Sequence, residues 1–135
     1  MYGTLSAFRA YALERGDNAP TAASDADATA ALVRASDYIR TRYVIRMGVP
    51  SAEQEDLIEE AAYIAGRREV ATPGFWAATF SPTQAKTLVE VKGIRWQPIG
   101  AKEFGLSGRD MVTPIDPAID ALLLPFGYVP GALVV

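Results

Sequence analysis

Three helix starts in the first 51 residues constrain this chain more than any other feature. Thr4, Ser24 and Ser51 each stand immediately before an apolar pattern of helical period, where a side-chain oxygen can accept from the free N–H groups of a first turn. The first pattern runs from Thr4 to about Arg15 and puts Leu5, Phe8 and Tyr11 or Ala12 on one face, with Gly16 as its stop. The second begins at Ser24, with Asp27 at the capping-box position and Asp25 also favoured by the helix dipole. Its stripe is Leu32, Ala35, Ile39 and Tyr43, flanked by Ala28, Ala31 and Tyr38, while Arg34, Asp37 and Thr41 face away. It fades over residues 42–47, and Gly48-Val49-Pro50 breaks it. Ser51 with Gln54 opens the third, whose core face is Leu57, Ala61, Ile64 and Ala65. Acidic residues fill its first turn, and Arg67 and Arg68 stand at its basic end. Ala61, Ala62, Ala65 and Gly66 let another helix come close.

After Val70 the character changes. Thr72-Pro73-Gly74 is a turn, and Phe75, Trp76 and Phe80 form an aromatic cluster suited to covering helices. Lys92-Gly93 then reads as a two-residue hairpin turn, pairing Val91 with Ile94, Glu90 with Arg95 and Val89 with Trp96. Residues 100–114 read as a loop. Asp116-Pro117 opens a short helix with Ile119, Leu122 and Leu123 on its buried face. The expected fold is mainly α: a small bundle of three to four helices with a projecting β-hairpin and an extended C-terminal tail. It forms one domain, with a helical core at about 4–68 and 116–124, a hairpin arm at about 86–99 and a tail at 125–135.

The 135 residues include no cysteine and no histidine. Disulfides, thiolate zinc sites, cysteine nucleophiles, imidazole ligands and histidine-based triads are therefore excluded. The carboxylates of the third helix (Glu53, Glu55, Asp56, Glu59, Glu60) lack the glycine-bearing loop of a calcium site, and the glycines at 100, 105 and 108 match no phosphate-binding fingerprint. The expectation is a non-enzyme with no metal and no cofactor. No leader pattern precedes the first helix, and the longest uncharged run, Ala121 to Val135, is interrupted by Pro125, Gly127, Pro130 and Gly131. A soluble protein that does not engage membranes is expected.

Net charge is −3, from 13 basic and 16 acidic residues, with a pI near 4.9. Such a chain has no bulk attraction for nucleic acid. The nearest approach to a single-strand platform is Arg34, Arg40, Arg42 and Arg46 interleaved with Tyr38 and Tyr43, although Asp37 lies among them. Two other elements suit protein partners. A two-stranded ribbon is marginal alone, so Ile94, Arg95 and Trp96 are candidates for an adhesive surface. Tyr128 and the apolar Leu133, Val134 and Val135 suit docking into a partner's groove or sheet edge.

Several of these segments together resemble a family of tailed-bacteriophage proteins. They are Met1-Tyr2-Gly3-Thr4-Leu5, Ala30-Ala31-Leu32-Val33-Arg34-Ala35-Ser36-Asp37-Tyr38-Ile39, Thr72-Pro73-Gly74-Phe75, Lys86-Thr87-Leu88-Val89-Glu90-Val91-Lys92-Gly93-Ile94 and Ile119-Asp120-Ala121-Leu122-Leu123. The family comprises head–tail connector, adaptor or head-completion proteins, members of which are often labelled DnaT-like single-stranded-DNA-binding proteins. Many members carry a Trp-Pro-Arg segment between the second and third helices, where this chain has Arg46-Met47-Gly48-Val49-Pro50. The resemblance implies a structural virion protein at the head–tail interface, assembled in the host cytoplasm. It implies a homo-oligomeric ring of about a dozen copies beneath the portal protein. That ring would meet a tail, stopper or tail-terminator protein on its other side, and DNA would pass through without tight binding. The alternative under the same resemblance is a replication accessory protein that binds single-stranded DNA.

Overall fold

The computed structural model describes residues 1–77, 86–90, 95–98 and 114–126. Five α-helices occur among them: α1 (Leu5–Glu14), α2 (Ala19–Ala22), α3 (Asp25–Arg42), α4 (Ala52–Ala71) and α5 (Pro117–Leu123). Single 3-10 turns follow α3 at Val44–Arg46 and α5 at Leu124–Phe126. Each expected cap is in place. Thr4 accepts from the Ala7 N–H at 3.2 Å. At Ser51 the box is reciprocal: the hydroxyl accepts from the Gln54 N–H at 3.3 Å, and the Gln54 amide oxygen accepts from the Ser51 N–H at 2.9 Å. At Ser24 the hydroxyl accepts from the Asp27 N–H at 3.1 Å, yet it donates to the Asp27 carboxylate at 2.8 Å. Aspartate is one methylene shorter than glutamate, and here it meets the hydroxyl.

The core lies between α3 and α4, with α1 across both and α5 against α4. Phe8, Leu32, Ala35, Ile39, Tyr43, Ala61, Ala65, Ile119 and Leu123 are buried in it. On α4 the buried stripe is Ile58, Ala61, Ala62, Ala65, Gly66 and Glu69, so Leu57 and Ile64 lie at its margin and not at its centre. The small residues fix this rotation, because they admit the closest approach. A Cβ added to Gly66 would sit 2.9 Å from the end of the Phe8 ring. Gly3 makes a second close approach, with φ +71° and its missing Cβ directed at the Tyr63 side chain.

Three expectations need correction. Among the described residues the bundle has five helices and not three to four: Asn18-Ala19-Pro20 starts α2 between the stop at Gly16 and the cap at Ser24, with Pro20 in the first turn and buried. The projecting hairpin and extended tail are not parts of the bundle's architecture. The contacts divide the chain into two units, and the bundle is complete in Met1–Ala77 and Ile115–Tyr128. Past Leu123 the backbone continues as a 3-10 turn, so an extended tail does not start at 125. The second unit contains a two-stranded antiparallel ladder, β1 (Lys86–Glu90) with β2 (Arg95–Pro98). Its register also differs: Glu90 opposes Arg95 as expected, but Trp96 opposes Leu88 and not Val89. A bulge between Leu88 and Glu90 inserts Val89 as the extra residue, which a strict alternation of faces does not anticipate. The Val91–Ile94 pair and the Lys92-Gly93 turn lie outside the described residues. Among the described residues no helix is long and apolar enough to cross a membrane.

The Gly66–Phe8 contact makes a prediction. Alanine at a helix interior ordinarily gains about 1 kcal/mol over glycine, but the buried Phe8 ring cannot swing aside. Gly66→Ala is expected to lose roughly 1–3 kcal/mol through overpacking, read as a lower urea midpoint. Adding Phe8→Leu should recover part of that loss. A stabilised single variant would show that the α1–α4 contact is loose.

Candidate functional site

Glu69 is the one charged residue of the described bundle with no exposed surface, and it sits at the end of the apolar stripe of α4. Its Oε2 accepts from Arg34 Nε at 2.8 Å and from the Gly74 N–H at 3.0 Å, and its Oε1 accepts from the Trp76 N–H at 3.1 Å. Burial pushes the carboxyl pKa up, but the Arg34 hydrogen bond and the two backbone donors outweigh it, so the net direction is down. The carboxylate thereby folds the chain back after α4 and seats Trp76. The indole stacks on Tyr38 with ring centroids 4.1 Å apart, meets Phe75 edge-on, and donates from Nε1 to the Ala65 carbonyl at 2.9 Å.

The neighbouring residue performs the matching task at the other end of the excursion. Arg68 Nε donates to Asp116 Oδ2 at 3.2 Å, while Asp116 Oδ1 caps α5 by accepting from the Ala118 N–H at 2.9 Å. Tyr43, fully buried, donates its hydroxyl to Asp120 of the same helix. Burial and that carboxylate push the Tyr43 pKa up, and burial pushes Tyr38 to about 12. The described chain on either side of residues 78–113 is thus held to the bundle by consecutive residues of the last turns of α4.

The four arginines of the nucleic-acid alternative are not assembled into a stripe. Arg34 is committed to Glu69, and Arg40 pairs with Asp37 at 2.5 Å. Arg46 donates to the Thr41 and Arg42 carbonyls at 3.2 and 3.1 Å, where the end of α3 favours a cation. The Arg42 guanidinium lies 5.8 Å from the Tyr43 ring centroid. Six residues of helix separate Arg34 from Arg40, which turns them about 120° apart. Tyr38 and Tyr43, needed as stacking platforms, are inside the core.

Of the partner-binding candidates, Arg95 and Trp96 lie on β2, opposite Glu90 and Leu88. Ile94, Tyr128, Leu133, Val134 and Val135 lie outside the described residues. No family model matches the chain, and neither a curated protein nor a solved structure is significantly similar to it. Glu69 escaped sequence reasoning because a glutamate in a helix's last turns ordinarily faces water. The signal was its place in the period Ile58, Ala62, Ala65, Glu69, just before a Pro-Gly turn.

Removing Glu69 tests this centre. Glu69→Ala should cost about 2–4 kcal/mol, since it strands two backbone donors and a half-exposed guanidinium. In a Trp96→Phe background it should also shift the emission of Trp76 to the red. The carboxyl pKa is lowered on folding, so its contribution is complete above the ordinary carboxylate range and fades as pH falls through the folded value. The gap in urea midpoint between wild type and Glu69→Gln should accordingly be widest near pH 7 and narrow once the pH falls below the ordinary carboxylate range. A gap that does not change with pH would mean the charge carries no stability.

Proposed function

We propose that this chain is a structural, non-enzymatic head–tail connector of a tailed phage or prophage, built into the virion as a ring in contact with the portal protein. The reading rests on the sequence resemblance. The observation that supports it best is the double anchorage at the end of α4: Glu69 holds the departing chain and Arg68 holds Asp116 where it returns. A connector must transmit load between a rigid body and the segments that grip its neighbours, and the backbone hydrogen bonds to Glu69 and the Arg68–Asp116 ion pair hold the chain on either side of such a segment. The gripping residues in this proposal are Ile94, Arg95 and Trp96 of the ribbon, with Tyr128 and Leu133, Val134 and Val135.

Electrostatics favour this reading over a replication accessory protein. Affinity for single-stranded DNA comes mostly from neutralised phosphates, whereas the net charge is −3 and Arg34, Arg40 and Arg46 each hold an acceptor of the same chain. A net acidic subunit also suits a channel through which DNA must slide.

The test is quantitative mass spectrometry of gradient-purified particles from a phage that encodes the chain. The expected result is a copy number close to that of the portal protein. Deleting Leu133–Val135 should leave the α-helical circular dichroism and urea midpoint unchanged while abolishing incorporation. Absence from particles, together with oligonucleotide binding that falls steeply with salt and is lost on Arg34→Ala and Arg40→Ala, would overturn the connector reading in favour of the alternative.

A further inference from the structure

The bundle and the second unit of this chain carry opposite net charge. Met1–Ala77 with Ile115–Tyr128 holds eight basic and thirteen acidic residues, a net charge of −5. Ala78–Pro114 with Val129–Val135 holds five basic and three acidic residues, a net charge of +2, and all three lysines of the chain (Lys86, Lys92 and Lys102) belong to it. Within the bundle the excess of acid is not spread evenly. Asp17, Asp25, Asp37, Glu60, Glu69 and Asp116 each pair with an arginine. Asp27 takes the Ser24 hydroxyl, and Asp120 the Tyr43 hydroxyl. Among the described residues no cation pairs with Glu53, Glu55, Asp56 or Glu59, which stand exposed within the first eight residues of α4.

The fold does not account for those four charges. Glu53 and Glu55 lie in the first turn, where the helix dipole favours an acid, but that field falls off within a turn and does not reach Glu59. No basic residue occurs between Arg46 and Arg67, so α4 offers these carboxylates no partner of its own. Instead Glu55 with Glu59, Asp56 with Glu59 and Asp56 with Glu60 stand three or four residues apart, where like charges repel. Beside them α1 and α4 form an open groove of about 360 Å³, lined by Tyr11 and Tyr63 and by Glu14, Asp56, Glu59 and Glu60. The one cation in its lining, Arg15, lies 3.5 Å from the Tyr11 ring centroid and reaches Glu60 at 3.5 Å and Glu14 at 3.9 Å. Four carboxylates against one guanidinium leave a surplus of three negative charges, and Arg15 shows how a cation is taken there.

We propose that this outer face of α4 is a docking surface for a second copy of the chain, whose lysine-bearing unit supplies the missing cations. Charge complementarity selects that occupant: the surface lacks positive charge, and the same chain carries a separate unit with a surplus of it. Among the described residues no three acidic side chains converge closely enough to hold a metal ion, so the face suits spaced ammonium groups instead. A contact of this kind is heterologous. The α4 face of one copy meets a different element of the next, each copy keeps one surface of each sort, and association continues until a ring closes. The inference rests on the connector reading for that ring, and deepens it by naming the face that receives a neighbour.

The experiment is sedimentation equilibrium of the purified full chain in dilute buffer and in about 0.5 M sodium chloride, which screens all but the closest charges. The expected result is an oligomer in dilute buffer and a monomer of 14.5 kDa in high salt. Asp56→Asn with Glu59→Gln should weaken association at least tenfold. The urea midpoint of that variant should stay unchanged or rise, because like-charge repulsion is relieved. Lys86→Gln with Lys92→Gln and Lys102→Gln should weaken association to the same extent, and mixing the two variants should restore a one-to-one dimer, since each keeps the surface the other lacks. Asp27→Asn, on α3, should change nothing. Should the lysine variant fail to fold, the acidic variant and the salt dependence decide alone. A monomer at every salt concentration, or an oligomer untouched by Asp56→Asn with Glu59→Gln, would overturn the proposal. Particle mass spectrometry reports on the connector reading separately: a self-associating chain absent from particles overturns that reading alone, and a monomeric chain present in them overturns this inference alone.

Discussion

The buried carboxylate of Glu69 is the interaction on which most of this bundle's finishing depends. A helix as apolar as the inner face of α4 could simply have run on into its neighbours, but it ends with a charge inside the core. Such a charge is tolerable only when its oxygens are filled, and three donors fill them. One of those donors ties α3 to α4 through Arg34. The other two are backbone N–H groups of the turn that follows, which would otherwise be unpaired near the core. Trp76 then covers the end of the helix pair by stacking on Tyr38. One side chain thus joins two helices, reverses the chain and places the aromatic lid.

Adjacent residues on a helix point about 100° apart, and the last turns of α4 exploit that. Glu69 faces the core, while Arg68 reaches out to Asp116. The same two residues therefore separate a structural charge, with no exposure and every oxygen filled, from a half-committed one whose outer edge is accessible. Arg9 on α1 is likewise committed, its Nε and both terminal nitrogens donating to the Pro20 carbonyl, Asp25 and the Ala23 carbonyl. The distinction lies in how many donors the fold has already claimed, which no count of basic residues conveys.

Most of the helical framework was legible because it rests on local chemistry. A hydroxyl at Thr4, Ser24 or Ser51 followed by apolar residues of helical period states a helix whatever surrounds it. What was not legible depends on partners distant in sequence. The rotation of α4 is set by Gly66 against Phe8, which moves the buried face onto Ile58 and away from Leu57. The helix α2, only four residues long and so without a readable period, draws on Pro20 as a buried first-turn residue. The bulge at Val89 shifts the ribbon's register, although the pair nearest the connection between the strands, Glu90 opposite Arg95, is as the alternation gives it. Of the candidate sites, the arginine cluster of α3 looked contiguous in sequence, yet helical geometry and local acceptors disperse it.

That dispersal bears directly on function. In a chain with three more acids than bases, the worth of each guanidinium depends on what it already holds. Arg34 cannot turn to a phosphate without unfilling Glu69, and with it the turn that seats Trp76. Arg40 and Arg46 would surrender Asp37 and the α3 carbonyls for contacts of similar strength. Exchange of one hydrogen-bonded partner for another leaves little net free energy, so an apparent basic stripe made of such residues has little affinity to give. Protein surfaces escape this limit, since buried apolar area adds to whatever polar contacts are exchanged. The arithmetic of committed donors therefore favours partners that bring apolar side chains, which is the kind of partner a structural connector has.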